Sequence, residues 1–124
     1  MSNDLAAIEA VLQTYFDGMY EGDVDKLRRA FHPTADLRSV AADGTLAVMP
    51  RTAWFDLVKS RASPKSQDLS RHDWVVTIDR SGPATALAKV QCAIPPRYFT
   101  DYLTLGRLNE GWVIVGKTYH TDTH

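Results

Sequence analysis

The sequence predicts an α+β fold in which helices come first and an antiparallel sheet follows. In three segments before residue 62, apolar residues recur at spacings of three and four, which is typical of amphipathic helices. From residue 74 onward, apolar and polar residues alternate, which is typical of strands with one buried face. Short turns join these strands, so neighbours in the chain pair antiparallel. We therefore expect three N-terminal helices packed on one face of a curved antiparallel sheet.

The first helix is predicted over residues 4 to 20. Ser2, Asn3 or Asp4 can cap its start, and Gly22 can end it. Its apolar stripe comprises Leu5, Ile8, Val11, Leu12, Tyr15, Phe16 and Met19. We expect this stripe to face the sheet.

Two shorter helices follow. Asp23 is the expected N-cap of the second, and Pro33 forbids its continuation, so FHPTADL at residues 31 to 37 marks a helix exit. The third is predicted over residues 50 to 61, since proline is tolerated in a first helical turn. One side of this third helix carries Trp54, Leu57, Val58 and Arg61.

Two groups of strands complete the predicted fold. Residues 36 to 40 and 45 to 48 form a small hairpin through the turn Asp43-Gly44. A polar loop at residues 62 to 70 precedes a four-stranded meander. The strands of the meander cover residues 74 to 78, 84 to 94, 98 to 108 and 112 to 120.

The composition favours a single globular domain over residues 1 to 124. The chain is 44% hydrophobic and 23% charged, and at this length it can bury a core without disulfides or a structural metal. A net charge of −1 with mixed signs argues against nucleic acid as a partner. No basic leader precedes an apolar core and no stretch reaches the length of a membrane span, so we expect a soluble cytoplasmic protein without a membrane partner.

The order of these elements resembles that of the NTF2-like (SnoaL-like) superfamily. The resemblance is carried by GD at residues 22 and 23, FHP at 31 to 33, and the ending DYLTL...GWVIVGKTY; within the superfamily it points to the group called "putative lumazine-binding". It implies a cone-shaped, cystatin-like α+β barrel, commonly dimeric, whose helices and concave sheet enclose a pocket. Members include isomerases, dehydratases, cyclases, dioxygenase subunits and non-catalytic modules, so the resemblance implies a fold and not an activity.

Asp101 is the first candidate site residue. It shares one face of its predicted strand with the apolar residues Phe99, Leu103 and Leu105. An ionised carboxylate on a buried face costs free energy unless it has charge or hydrogen-bond partners. Two interpretations stay open: Asp101 faces the pocket, or it lies at a frayed strand end as an ordinary turn acceptor.

Tyr15 is the second candidate, because an enclosed phenol requires a hydrogen-bond partner. In the steroid isomerases of the superfamily, a first-helix tyrosine and a protonated aspartate on a late strand form an oxyanion hole. The segments VLQTY and TDYL are similar to those two places, at Tyr15 and Asp101. The position of the general-base aspartate falls at Ser39, whose hydroxyl is a far weaker base. A core tyrosine bonded to a nearby backbone group is the alternative.

His32 is the third candidate. It precedes Pro33, so its ring can turn away from the helix axis. It either caps the last carbonyls of the second helix, where a cation gains roughly 0.3–1 kcal/mol, or points into the pocket mouth as the general base that Ser39 cannot supply.

Further residues are candidates for ligand contacts. They are Trp54, Val58, Trp74, Phe99 and Leu103. Trp54 and Trp74 offer stacking surfaces for a flat, partly aromatic ligand, and packing in the core is the alternative. Four residues that alternate along the late strands face either solvent or the pocket: Lys89, Gln91, Lys117 and Tyr119. An inward Lys117 would contact an anion.

These residues favour a small-molecule binding protein with an enclosed, largely apolar pocket. One alternative is a cofactor-independent isomerase, dehydratase or hydrolase with Asp101, Tyr15 and His32 as catalytic residues. The other is a non-catalytic dimeric interaction module.

The expected partners are a small-molecule ligand and a second copy of the chain. The outer sheet face that would form the homodimer carries Tyr98, Thr100, Tyr102 and Thr104. The sequence has no phosphate loop, HExxH, paired CxxC or nucleophile elbow, so neither a cofactor nor a metal is predicted. The tail HTDTH is expected to be a frayed end.

Overall fold

The helices and strands of the protein follow the predicted order. The computed structural model describes residues 3–124, which form three α-helices: α1 (Asp4–Glu21), α2 (Val24–Ala30) and α3 (Arg51–Ser60). The same residues form six strands: β1 (Asp36–Val40), β2 (Leu46–Pro50), β3 (Trp74–Ser81), β4 (Thr85–Ile94), β5 (Arg97–Leu108) and β6 (Gly111–Thr123). None of the helices described is long and apolar enough to cross a membrane.

Local sequence determines the junction between α1 and α2. Gly22 ends α1 with a φ of 69°, a left-handed conformation that favours glycine. The Asp23 side chain then accepts hydrogen bonds from two amides in the first turn of α2, at 3.0 and 3.3 Å, and begins that helix as predicted. Asn3 occupies the N-cap position of α1 without a side-chain hydrogen bond, and Ser2 lies outside the described residues.

The sheet contains the predicted meander, β3 to β6, within the strand order β2-β1-β6-β5-β4-β3. β1 joins the meander in parallel with β6, where Leu37 lies opposite Lys117 and Arg38 opposite Thr118. Among the described strands, the remaining four junctions are antiparallel. The parallel junction joins strands that are far apart in the chain, so alternation along the sequence did not predict it.

The helices cover one face of the sheet. α1 crosses this face, and its Ile8, Leu12 and Tyr15 are fully buried there. β4 and β5 contribute alternate buried residues, namely Ala86, Ala88, Val90, Cys92, Ile94, Phe99, Asp101, Leu103 and Leu105. On the opposite face Tyr102 is exposed. The sheet therefore has one buried face, as the alternation predicts.

β6 continues almost to the end of the chain, so the prediction of a frayed tail is wrong. Thr123 pairs with Arg97 at the start of β5. His120 Nε2 also lies 2.9 Å from Asp122 Oδ1. The tail is ordered as a strand because β5 is long enough to supply it with backbone partners.

Candidate functional site

Four side chains meet in the interior between α1 and the sheet. Tyr15 Oη donates a hydrogen bond to Asp101 Oδ2 and accepts one from Lys117 Nζ at 2.7 Å. Lys117 Nζ also lies 3.6 Å from Asp101 Oδ2, as an ion pair. Cys92 Sγ lies 3.6 Å from the same carboxylate oxygen and 3.7 Å from the Tyr15 oxygen. We call Tyr15, Cys92, Asp101 and Lys117 the buried cluster.

A β-bulge in β6 turns Lys117 into the interior. The ladder between β5 and β6 omits Val115, because its neighbours Ile114 and Gly116 pair with consecutive residues of β5. Ile114 and Lys117 are both buried, although they are three residues apart in one strand. Strict alternation from Ile114 would have placed Gly116 inward and Lys117 in solvent.

The structure also settles the direction of the other three residues left open by the sequence. Tyr119 faces inward beside Lys117, with its ring centroid 5.0 Å from the ammonium nitrogen. Lys89 and Gln91 lie on the outer face, where Lys89 Nζ is 5.5 Å from the centroid of the Tyr102 ring. Only Lys117 and Tyr119 of these four therefore reach the interior.

Burial determines the protonation of two members of the buried cluster. Desolvation raises the pKa of Tyr15 well above its ordinary value of 10.0 and the pKa of Cys92 well above 9.0. The negative charge of Asp101 raises the pKa of both side chains further. Tyr15 and Cys92 are therefore neutral at pH 7.

Aromatic rings surround the ammonium of Lys117. Its Nζ lies 4.8 Å from the ring centroid of Trp54 and 5.1 Å from that of Tyr15. Tyr119 and Phe99 complete the set at 5.0 and 5.9 Å. A cation–π contact contributes about 0.5–2 kcal/mol. These contacts, with Asp101, offset the cost of removing the charge from water.

A cavity of about 150 Å³ lies beside the buried cluster. Its apolar lining comprises Met19, Leu37, Met49, Trp54, Leu57 and Phe99. Its polar lining comprises Arg61, Arg97, Lys117, Tyr119 and Thr121. Lys117 is therefore the member of the buried cluster that a ligand in this cavity would contact.

Asp101 is enclosed but does not line the cavity. It is fully buried and pairs with Val90 and Tyr119 in the interior of the sheet, so the interpretation as a frayed strand end is wrong. Its Oδ1 has no hydrogen-bond partner among the described residues. Asp101 can influence a ligand in the cavity only through the side chains that it holds, Tyr15 and Lys117.

The predicted ligand contacts divide into three groups. Trp54 and Phe99 line the cavity. Val58 and Leu103 are buried in the core and do not line it. Trp74 lies on the outer face opposite Gln91 with 53% of its surface exposed and does not line this cavity; it borders a separate depression that also reaches Cys92 and Phe99. It faces outward because β3 pairs with β4 in the register that places Trp74 opposite Gln91, whereas Val75 lies opposite the buried Val90.

His32 lies outside the lining of this cavity and instead borders depressions beside Leu108 and Glu110. Its Nδ1 accepts a hydrogen bond from the Thr34 amide at 3.2 Å and lies 2.8 Å from Thr34 Oγ1. Nor does it cap α2: Arg51 Nη1 donates to the carbonyl oxygens of Phe31 at 2.7 Å and Arg28 at 3.3 Å. Across residues 3–124, no group of three or more His, Cys, Asp or Glu side chains is placed to hold a metal ion.

Two charged residues of the cavity lining, Arg61 and Arg97, were not identified as site residues from the sequence. Arg61 shares the predicted inner side of α3 with Trp54, which was the only sequence signal for it. Arg97 follows Pro95-Pro96 at the start of β5 and carries no such signal. Both enter the site because the fold brings the residue after α3 and the first residue of β5 to the lining of one cavity.

Comparison with known proteins identifies the family. The profile of the family described as "putative lumazine-binding" matches residues 3–120. The chain belongs to this family. Among the relatives of this chain is aldolase FrzH from Cladobotryum sp., which is 25% identical over 122 residues, covering 97% of this chain and 93% of FrzH.

Solved structures confirm the expected NTF2-like fold of this chain. An NTF2-like protein of unknown function from Shewanella baltica superposes with a TM-score of 0.88 and 27% identity, covering 100% of this chain and 99% of the other. Another from Methylobacillus flagellatus superposes with a TM-score of 0.84 and 26% identity, covering 99% and 95%. The family description indicates a small-molecule ligand.

Proposed function

We propose that the protein binds a small organic molecule in the cavity beside Lys117. The observation that carries this proposal is a space of about 150 Å³ with aromatic walls and a buried ammonium. Pockets for drug-sized ligands occupy roughly 300–1,000 Å³. The cavity is therefore suited to a single flat ring or a group of similar size, and a larger ligand would extend past Arg61 and Arg97.

The polar residues have separate parts in this proposal. Lys117 donates to Tyr15 and keeps further N–H groups for an acceptor atom on the ligand. Tyr15 and Asp101 are positioning residues, since they hold the ammonium in place without lining the cavity. Trp54 and Phe99 supply the surfaces against which a flat, partly aromatic ligand packs.

Thermal-shift screening of aromatic heterocycles and small aromatic carbonyl compounds tests this function. Lys117→Met keeps the apolar stem and removes the ammonium, and Lys89→Met makes the same change on the outer face as a matched control. A ligand at 100 times its Kd stabilises the folded state by about 2.7 kcal/mol. We expect ligands to raise the melting temperature of the wild type and of Lys89→Met equally, and that of Lys117→Met less. Failure of every compound, or equal stabilisation of all three proteins, would contradict the proposal.

A second candidate function is carbonyl chemistry at Lys117 without a cofactor. The observation that favours it is the hydrogen-bond chain from Lys117 through Tyr15 to Asp101. A proton can pass from the ammonium to the Tyr15 oxygen while the Tyr15 proton passes to Asp101, which leaves a neutral amine and a neutral carboxyl group. The similarity to an aldolase supports this class of reaction.

The reaction would proceed through an iminium ion. The Lys117 amine adds to the carbonyl carbon of an aldehyde or ketone and forms a carbinolamine. The carbinolamine nitrogen takes the proton back from Asp101 through Tyr15 and passes it to the hydroxyl group, which leaves as water. The products are a protonated iminium, water and an ionised Asp101. This candidate is a cofactor-independent enzyme, as one of the sequence-based alternatives proposed. It differs from that alternative because the group that reacts with the substrate is Lys117 and not Asp101.

Reductive trapping distinguishes this enzyme from a binding protein. Sodium borohydride converts an iminium into a stable secondary amine, which peptide mass spectrometry can locate. We expect wild type and Lys89→Met to carry the adduct at Lys117 after incubation with an aromatic aldehyde, and Lys117→Met to carry none there. If an aldehyde that stabilises the wild type leaves Lys117 unmodified, the enzyme candidate is wrong and the binding proposal stands.

We also propose that two copies associate through the outer sheet face. Tyr102 is 46% exposed there, and Trp74 extends the same face at the sheet edge. Exposed aromatic residues on an open sheet suit a protein contact. Light scattering at micromolar concentration should give twice the chain mass of 13.8 kDa. A monomer mass for the wild type would rule the dimer out.

A further inference from the structure

We propose that the ligand is an organic anion: a carboxylate on a flat apolar body, with the carboxylate held between Arg61 and Arg97. This inference rests on the proposed binding function. Both arginines line the cavity, Arg61 directly after α3 and Arg97 as the first residue of β5. They are half-buried, whereas Lys117 and Trp54 are buried, so the arginines mark the open end of the cavity.

Neither arginine has a counter-ion within the described part of the chain. Arg97 Nε is buried and has no hydrogen-bond partner among residues 3–124. The described arginines that do form ion pairs have aspartate partners; they are Arg28, Arg38, Arg71, Arg80 and Arg107. A buried guanidinium nitrogen without an acceptor costs free energy, so a ligand that supplies one is favoured.

The two guanidinium groups also repel one another. Burial, and after it the positive charge of Arg97, lowers the pKa of Arg61. Asp101 balances the charge of Lys117, but the described residues that line the cavity include no Asp or Glu. Two positive charges at the open end are therefore uncompensated. A carboxylate relieves the repulsion and can accept hydrogen bonds from planar guanidinium groups on both of its oxygens.

The two ends of the cavity define the shape of the ligand. The carboxylate lies at the open end, and the apolar body packs against Trp54 and Phe99. Lys117 at the inner end offers N–H groups to a hydroxyl or carbonyl oxygen on the far side of the body. The inferred ligand class is an aromatic or heteroaromatic acid with an oxygen substituent opposite the carboxylate.

Calorimetric titration with a matched pair of probes tests the inference. The probes are para-hydroxybenzoate and para-hydroxybenzamide, which share a shape and differ in charge. We expect the acid to bind about tenfold more tightly than the amide, and high salt to weaken the acid alone. Arg61→Gln and Arg97→Gln should each reduce this ratio toward one. Arg29→Gln, on the exposed side of α2, should leave the ratio unchanged.

Each other outcome overturns the inference in a distinct way. If the amide binds as tightly as the acid and Lys117→Met weakens both, the anion site is wrong and the binding function stands. If neither probe binds and no compound stabilises the protein in the thermal screen, the binding function fails and the inference fails with it. If inorganic phosphate displaces the acid at equal concentration, the arginines bind any anion and the organic ligand class is wrong. Urea midpoints of the glutamine variants at or above the wild-type value confirm that they fold.

Discussion

Asp101→Asn is expected to destabilise the protein by about 3–5 kcal/mol, because it leaves a buried ammonium without its counter-ion. The substitution preserves the size and planar shape of the side chain. Asp101 is fully buried and Lys117 is 4% exposed, so water cannot replace the lost charge. The Tyr15 hydroxyl can still donate to the amide oxygen and accept from Lys117. The substitution therefore removes charge and leaves the hydrogen-bond chain in place.

The geometry of the ion pair gives the magnitude. Lys117 Nζ and Asp101 Oδ2 are 3.6 Å apart, and at an effective dielectric constant of about 20 the attraction between unit charges at that distance is about 5 kcal/mol. The aromatic rings around Lys117 remain in the variant and keep part of its stabilisation. A loss of 3–5 kcal/mol corresponds to a fall of roughly 10–20 °C in the melting temperature of a domain of this size.

Urea unfolding of a double-mutant cycle measures this interaction. The proteins are wild type, Asp101→Asn, Lys117→Met and the double variant, with Asp79→Asn on the exposed face of β3 as a matched control. We expect the double variant to lose less stability than the sum of the single variants, by about 2–3 kcal/mol. The control should stay within about 0.5 kcal/mol of wild type. An additive cycle, or a loss below about 1 kcal/mol for Asp101→Asn, would refute the reasoning.

Three further predictions follow from the buried cluster and the bulge. Tyr15→Phe removes a donor to Asp101 and an acceptor for Lys117 and should cost about 1–3 kcal/mol in urea unfolding. A cost within about 0.5 kcal/mol, the range of ordinary surface substitutions, would contradict this. Folding raises the pKa values of Tyr15 and Cys92. Their contribution to stability is therefore complete below the ordinary values of 10.0 and 9.0 and is lost as the pH rises above them. Unfolding curves recorded at alkaline pH should show this loss of stability, and Tyr15→Phe should reduce it. Gly116→Ala would place a Cβ 2.9 Å from Thr104 Oγ1 and should destabilise the protein by about 1–3 kcal/mol, with Thr104→Ala restoring most of the loss in the double variant.

Much of the fold could be predicted because its signals are local. Gly22, Asp23 and Pro33 end or begin helices through their own backbone and side-chain chemistry, and the structure places those boundaries where they were expected. The contact between Tyr15 and Asp101 was suggested by the apolar stripe of α1, by the apolar face of β5 and by the resemblance to a family. His32 lies outside this cavity because a hydrogen bond to the nearby Thr34, which no periodicity reveals, determines the direction of its ring.

The sequence by itself determined which segments are helices and strands and which side of β5 is buried, since those properties depend on periods of 3.6 and 2 residues along the chain. Only the tertiary structure decided that Lys117 faces Asp101, because the unpaired Val115 reverses the alternation of β6 just before it. Only the tertiary structure decided that Arg61 and Arg97 share one cavity, because they come from elements that are distant in the chain and meet when α3 packs on the sheet. A one-residue shift in pairing and a contact between distant elements leave no periodic trace in a sequence, and the chemistry of the cavity depends on both.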